Sequence, residues 1–299
     1  MSGERRSERP VVAFLGTGIM GAAMARNAAR AGLEVRGWSV PLADAERLAE
    51  DGVEAFSTAA AATAGADLVV TVVPDAAAIE SFASGEDGFL PALGPEAIWI
   101  QCSTVGVAPA DRLVALAAEH GATIVDSPLL GSKDPAERAE LIMLASGEEA
   151  AIDRCEPLFA AISRRVVRLG KAGNGSRMKM VTNGWIMTTV AATAEAMALA
   201  QALGVPGQGF LEGIEGTALD NGYAQLKGRM ILDDDYPAAM RLANGAKDAR
   251  LVSEATREAG LEGAVIGAAA ELMSRALELG HAEKDMAAAY FAAVESAQD

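Results

Sequence analysis

A doubly wound α/β domain followed by an all-α domain is the fold class this 299-residue sequence predicts. Three observations predict it. Between Val11 and about Gly170, short β-branched runs alternate with alanine-rich stretches of helical length, the pattern of a parallel sheet covered on both faces. A Gly-x-Gly-x-x-Gly run, Gly16 to Gly21, separates the first such strand from the first such helix. Beyond Gly170 the strands stop, and Arg177 to Leu203 reads as one helix of about 27 residues, roughly 40 Å long.

Taken in order, the predicted strands are VVAFL from Val11, LEVRGW from Leu33, DLVVTVV from Asp67, IWIQC from Ile98, TIVD from Thr123, LIMLA from Leu141 and VVRL from Val166. All are expected in one sheet. Helices are expected near 20–31, 43–50 and 109–119, with a loose polar tail over the first ten residues. The domain limits that follow are 10–171 for a nucleotide-type α/β domain and 172–299 for a helical domain, linked by the long helix. That helix carries Trp185, Ile186, Met187, Val190, Met197 and Leu199 on nearly every side, which in a soluble chain predicts burial all round. Cover by a second copy, in a homodimer or higher homo-oligomer, is the economical way to supply it.

Composition narrows the function. Hydrophobic residues make up 51% and charged residues 22%, so the chain is folded and large enough for about two domains. The formal charge of −16 repels phosphate backbones and anionic membrane surfaces, which excludes nucleic acid as an expected partner. Trp185 to Leu203 contains Glu195, Gln201 and three threonines, and reads as a buried helix rather than a membrane span. Cys102 and Cys155 form no CxxC pair, and neither a disulfide framework nor a metal site is expected; a reducing, cytoplasmic location fits.

In Gly16-Thr17-Gly18-Ile19-Met20-Gly21 each glycine has its own task. Gly16 permits the tight turn, Gly18 lets the backbone approach a pyrophosphate, and Gly21 lets helix and strand pack closely, with the helix N-terminus facing the phosphates. This is the arrangement of a Rossmann domain binding NAD or NADP. Selection between the two is read at the end of the second strand, where an acidic residue bonds a ribose 2′-hydroxyl and an arginine accommodates a 2′-phosphate. Here Ser39 and Val40 supply neither, and Arg36 and Arg47 are remote cations. Placing a 2′-phosphate without an adjacent arginine in so acidic a protein is unfavourable, a slight lean to NAD.

The second candidate constellation opens the long helix. Lys179 and Asn183 are four residues apart and share a face. A lysine in an apolar helix beside a dinucleotide domain suits acid/base work, because desolvation disfavours its charged form. Taken alone, a lysine snorkelling at a helix start is the more ordinary reading.

Four separated segments, in order, resemble the β-hydroxyacid dehydrogenase family: FLGTGIMGAAMARN from Phe14, Asp126-Ser127-Pro128-Leu129-Leu130-Gly131-Ser132, GNGSRMKMVTN from Gly173, and Lys247-Asp248. The wording GSKDPAE from Gly131 is most similar to the glyoxylate and succinic semialdehyde reductase branch. The resemblance implies an oxidoreductase interconverting a small aldehyde or keto compound and the corresponding hydroxy acid or alcohol. It implies Lys179 as acid/base and Asn183 as a holder of substrate and lysine. It assigns Val73, Pro74, Thr104 and Lys247 to the cofactor, and Ser103, Leu130, Gly131 and Ser132 to the substrate. Two positions depart from the family pattern. Leu130 stands where a serine grips the substrate carboxylate, so either the backbone of Gly131 and Ser132 holds that anion or the substrate is not a simple acid. Ser39-Val40-Pro41 lacks both cofactor-selecting residues. Imine reductases and reductive aminases share this architecture and are the alternative enzyme class; a non-catalytic dinucleotide-binding module is the alternative outside catalysis.

The remaining polar features have structural readings. Asp233-Asp234-Asp235 is expected as a solvated turn, His120 and His281 as helix-end caps beside glycines, and Cys102 as a small packed hydrophobe.

Overall fold

The computed structural model describes residues 9–295, so most of the predicted tail lies outside the described residues. Nine strands are described: β1 Val11–Leu15, β2 Glu34–Trp38, β3 Val53–Ala55, β4 Leu68–Thr71, β5 Ile98–Gln101, β6 Thr123–Asp126, β7 Leu129–Leu130, β8 Leu141–Ala145 and β9 Ser163–Arg168. The first six form one parallel sheet in the order β3-β2-β1-β4-β5-β6, with Val12 beside Val35 and Leu68, and Thr71 beside Leu15 and Gln101. Its central strands read as unbroken apolar runs because helices cover both faces. Phe14, Val70 and Ile100 point into the core that the helix Ile19–Arg30 closes with Ala23, Met24 and Ala28. Ala13, Val69 and Trp99 point into the opposite core, closed by Leu113 and Ala117 of the helix Val107–Glu119.

The expected single sheet is corrected at its end. LIMLA and VVRL become β8 and β9 of a separate three-stranded sheet, β8 parallel to β9 and antiparallel to β7. An apolar run buried on both sides looks the same whichever sheet holds it, so sequence alone did not separate them. The two sheets touch through an isolated antiparallel bridge between Asp126, the last residue of β6, and Ser146, just past β8. β3 and β7, of three and two residues, are too short to leave a periodic signal.

Contacts divide the chain into two compact units between Lys179 and Met180, within the helix Asn174–Ala202. In the second unit Met187, Val190, Ala194 and Met197 of that helix share a core with Leu242, Ala246, Met273 and Met286. Lys227 and Asp285 form a fully buried ion pair there at 2.6 Å, and Asp285 also accepts from the backbone N–H groups of Ala239, Met240 and Ala287.

Within one chain the long helix is covered on one flank only, and the expected cover by a second copy concerns the other. Val181, Trp185 and Leu199 are 68%, 69% and 58% exposed while Met187, Val190 and Met197 are buried. His120 ends its helix with Nδ1 3.0 Å from the Leu116 carbonyl, as a cap does; His281 instead stacks on Phe291 at 4.1 Å. Among the described residues no helix is long and apolar enough to cross a membrane, and no cluster of potential metal ligands occurs.

Candidate active site

The strand order reverses between β1 and β4, and the loops after these two strands meet. Gly16 has φ +109°, and a Cβ there would stand 2.5 Å from the Val72 carbonyl oxygen; a Cβ at Gly21 would overlap the Gly16 carbonyl oxygen. Gly16 and Gly21 are therefore required by the chain's own packing. Gly18 is different: a Cβ there meets nothing within 4 Å, although it caps the helix N-terminus at Ile19. A glycine that the protein itself does not need leaves room for something that approaches the helix end, where backbone N–H groups point outward and favour an anion. Thr17 adds a buried hydroxyl with no partner among the described residues. Ile19 is exposed and Met20 packs against the core beneath the loop. This cradle fits the pyrophosphate of a dinucleotide.

Ser39, buried past the end of β2, accepts a hydrogen bond from Thr17 N–H at 3.3 Å, which joins it to the same cradle. Neither remote cation is directed there. Arg36 bonds the Ala64 carbonyl at 2.7 Å and Glu34 at 3.0 Å, and Arg47 bonds Asp44 at 2.7 Å.

Val73 and Pro74 follow β4, and Ser103 and Thr104 follow β5. The structure brings the first of each together: Val73 N–H donates to Ser103 Oγ at 2.9 Å. Ser103 is only 2% exposed, and its N–H donates to Gln101 Oε1 at 2.6 Å. The structure places Ser103 in a buried network, where its hydroxyl accepts from the Val73 loop.

Leu130 is half-buried on β7, and Gly131 follows with φ +126°, where a Cβ would stand 2.8 Å from Leu141. Ser132 precedes the short helix Lys133–Glu137. Lys179 is 9% exposed, and its Nζ donates to the Leu129 carbonyl at 2.7 Å. The ammonium is thus held at the peptide group leading into Leu130.

One turn along the same helix, Asn183 is buried and its Nδ2 donates to Asp248 Oδ2 at 3.0 Å. Lys247, beside it on the helix Leu242–Glu258, places Nζ 3.0 Å from Asp248 Oδ1, in ion-pair contact but outside hydrogen-bonding alignment. Asp248 thus organises both candidates of the second unit.

Sequence reasoning gave no role to Asp126, Gln101, Ser146 and Ser176, which surround the start of the lysine helix. Asp126 is buried; Oδ2 accepts from Ser176 N–H and Oδ1 from the Ser176 hydroxyl, both at 2.8 Å. Burial pushes its carboxyl above the ordinary carboxylate range, against the opposing pull of these bonds and of Gln101 and Ser146. Cys102 next to this network is a buried thiol that burial pushes well up, which suits packing and not nucleophilic attack.

The family model described as the NAD binding domain of 6-phosphogluconate dehydrogenase matches residues 11–170. A second, described as NAD-binding of NADP-dependent 3-hydroxyisobutyrate dehydrogenase, matches residues 173–292. Glyoxylate/succinic semialdehyde reductase 1 of Arabidopsis thaliana is 30% identical over 277 residues, 93% of this chain and 96% of that protein. The chain belongs to the β-hydroxyacid dehydrogenase family. It is an NAD(P)-dependent oxidoreductase, not a non-catalytic binding module. The solved structure of 3-hydroxyisobutyrate dehydrogenase from Mycobacterium tuberculosis with L-serine superposes with a TM-score of 0.86 at 28% identity, covering 95% of this enzyme and 98% of that chain. An imine reductase from Pseudomonas sp. covers 95% of this enzyme and 99% of that chain at a TM-score of 0.62 and 22% identity, a likeness of fold alone.

Proposed function

We propose that the enzyme reduces a small aldehyde or ketone, and oxidises the corresponding hydroxy acid or alcohol, with Lys179 as general acid and base. The observation that carries this reading is the buried Lys179 ammonium held on the Leu129 carbonyl, one helical turn before Asn183. The nicotinamide cofactor, when bound, supplies or accepts the hydride. The helix N-terminus behind Gly18, with Thr17 and Ser39, would hold its anionic and ribose portions, and Val73, Pro74 and Thr104 would border the remainder within the same unit; the family resemblance adds Lys247 to the cofactor contacts. Lys179 donates a proton from Nζ to the carbonyl oxygen as negative charge grows there, and takes it back in the oxidative direction. Asn183, its amide oriented by Asp248, holds the substrate beside the lysine.

Leu130 bears on substrate class. Its side chain has no hydrogen-bonding group, so a carboxylate at that position depends on the N–H groups of Gly131 and Ser132 and on the Ser132 hydroxyl. Small semialdehydes and β-hydroxy acids remain the first substrates to test; a neutral carbonyl or a cyclic imine is the second reading, favoured by Leu130 and opposed by Lys179. The deciding experiment is a panel followed by nicotinamide absorbance, with both cofactors against semialdehydes, β-hydroxy acids and cyclic imines. Turnover confined to imines would overturn the first reading. For the cofactor we favour NAD, because Arg36 and Arg47 are paired elsewhere; a kcat/KM tenfold higher with NADPH than with NADH reverses that preference.

Residues 10–171 serve the cofactor in this reading and 172–299 the substrate and assembly. Along the long helix Val181, Trp185, Thr188, Ala192, Glu195 and Leu199 recur at alternating steps of four and three, a mostly apolar stripe of the kind two helices share. We assign it to a homodimer with a second copy of this chain, in which Trp185→Glu yields monomers by sedimentation. A reducing, cytoplasmic setting is consistent with Cys102 and Cys155 both being free and buried.

A further inference from the structure

We propose that Asp126 is a positioning residue for Lys179, which it holds in register through the first turn of the long helix. The proposal rests on the acid/base reading of Lys179. It starts from a closed ring of contacts. Asp126 ends β6, and three residues later the next strand, β7, offers the Leu129 carbonyl that receives Lys179 Nζ at 2.7 Å. Ser176, three residues before Lys179, returns to Asp126 with two bonds of 2.8 Å, one to each carboxylate oxygen. A pair of bonds to both oxygens fixes rotation about the helix axis as well as axial position, which a single bond does not. Ser176 and Lys179 lie on adjacent turns of one helix face, so rotation at Ser176 is carried directly to the lysine.

The surroundings leave the turn no other seat. Gly175 N–H donates to Ser146 Oγ at 2.8 Å, and Ser146 Oγ donates to the Asp126 carbonyl at 3.0 Å. A Cβ at Gly175 would overlap the Leu144 carbonyl oxygen and stand 2.5 Å from that of Asp126, so the helix lies directly on the strand backbone. Arg177 adds a two-pronged bond to Asp111 at 2.8 and 2.9 Å. On its other side Asp126 Oδ1 takes a longer bond of 3.4 Å from Gln101 Nε2. Gln101 in turn holds Ser103, whose hydroxyl holds Val73 N–H in the loop after β4. One buried polar chain therefore runs from the cofactor side of the domain to the lysine helix. Asp126 is 1% exposed and both its oxygens are engaged, so it acts through its neighbours and not on substrate.

The test uses the full chain and the carbonyl that wild type reduces fastest in the panel above. In Asp126→Asn the carboxylate charge is lost, and the amide nitrogen, which cannot accept, forces the Ser176 hydroxyl to accept where it had donated and faces Gln101 Nε2–H donor to donor. Displacement of a reacting group by about 1 Å costs on the order of 100-fold, so kcat is expected to fall about 10- to 100-fold with KM and dinucleotide Kd within about twofold. Ser176→Ala, which keeps the N–H bond and loses the hydroxyl bond, falls in between. Ile152→Val trims the same core without touching the network, and supplies the effect of lost stability alone on kcat. A folded Asp126→Asn with wild-type kcat, or with no greater loss than Ile152→Val at an equal drop in Tm, overturns the proposal. If Asp126→Asn does not fold, unchanged kcat in Ser176→Ala overturns it. Lys179→Met separates the two readings. An active Lys179→Met removes the acid/base role and the positioning role with it, whereas an inactive Lys179→Met beside an unimpaired Asp126→Asn removes positioning alone.

Discussion

Replacing Lys179 by methionine keeps most of the aliphatic stem and removes the ammonium, and with it the bond to the Leu129 carbonyl. A positioned general acid contributes about 10²- to 10⁴-fold, or about 2.7–5.4 kcal/mol of barrier at about 1.36 kcal/mol per tenfold. The cost to stability is smaller. A hydrogen bond made by a charged group is worth about 1.5–3 kcal/mol, and relief of a desolvated charge opposes its loss. Cofactor affinity is expected within about twofold of wild type, because the Gly16 to Gly21 cradle belongs to the loop after β1 and bonds Trp38 and Ser39, not the lysine. Stopped-flow absorbance of the reduced nicotinamide gives kcat in both directions, and a fluorescence titration gives the dinucleotide Kd. A two- or threefold fall in kcat, under about 1 kcal/mol, would remove Lys179 from proton transfer and leave it a role in packing.

Gly18→Val should leave Tm within a few degrees, since a side chain there meets nothing in the protein, yet raise the dinucleotide Kd at least about tenfold by occupying the approach to the helix end; unchanged affinity by calorimetry would refute the placement. Leu130→Ser should raise kcat/KM for small carboxylate-bearing semialdehydes by about 10- to 150-fold, the worth of a hydrogen bond to a charged group of about 1.5–3 kcal/mol, and lower it for neutral carbonyls. Equal rates on a small carboxylate in wild type and variant would mean the backbone at Gly131 and Ser132 suffices. Lys227→Met strands the Asp285 carboxylate, which keeps only its backbone N–H partners, and should cost about 3–5 kcal/mol in urea denaturation. Lys227→Met with Asp285→Asn should recover part of this, and a single-variant loss below about 1 kcal/mol would show that the pair is not the support its burial indicates.

Elements encoded by local pattern were legible. The Gly16 to Gly21 run needs a strand before it and a helix after it, both within fifteen residues, and the long helix runs from Asn174 to Ala202 close to the expected 177–203. What escaped was non-local. β8 and β9 have the same apolar character as the main-sheet strands, and only the antiparallel partner β7, two residues long, separates them. Apolarity on every side of the long helix was real, but its sequence does not say which flank the same chain covers. Trp185 turns out exposed and Met187 buried, two residues apart.

The site residues show why part of the chemistry was readable and part was not. In a parallel sheet the carboxyl ends of all strands lie along one edge, so polar residues that follow successive apolar runs are brought together by topology alone. Gly16 follows β1, Val73 follows β4, Ser103 follows β5 and Asp126 closes β6. Any reading that marks strand ends therefore finds the neighbourhood. It does not find the pairings, because they depend on which main-chain atoms remain open there. Lys179 is anchored by a carbonyl, that of Leu129, and no side-chain pattern encodes a carbonyl. The bonds between Asp126 and Ser176 span 50 residues and join a strand end to a helix start. The available signal was an acidic residue at the close of a strand, TIVD, where burial demands a donor. The first turn of the long helix, Asn174-Gly175-Ser176, supplies donors together with a glycine small enough to bring them into reach.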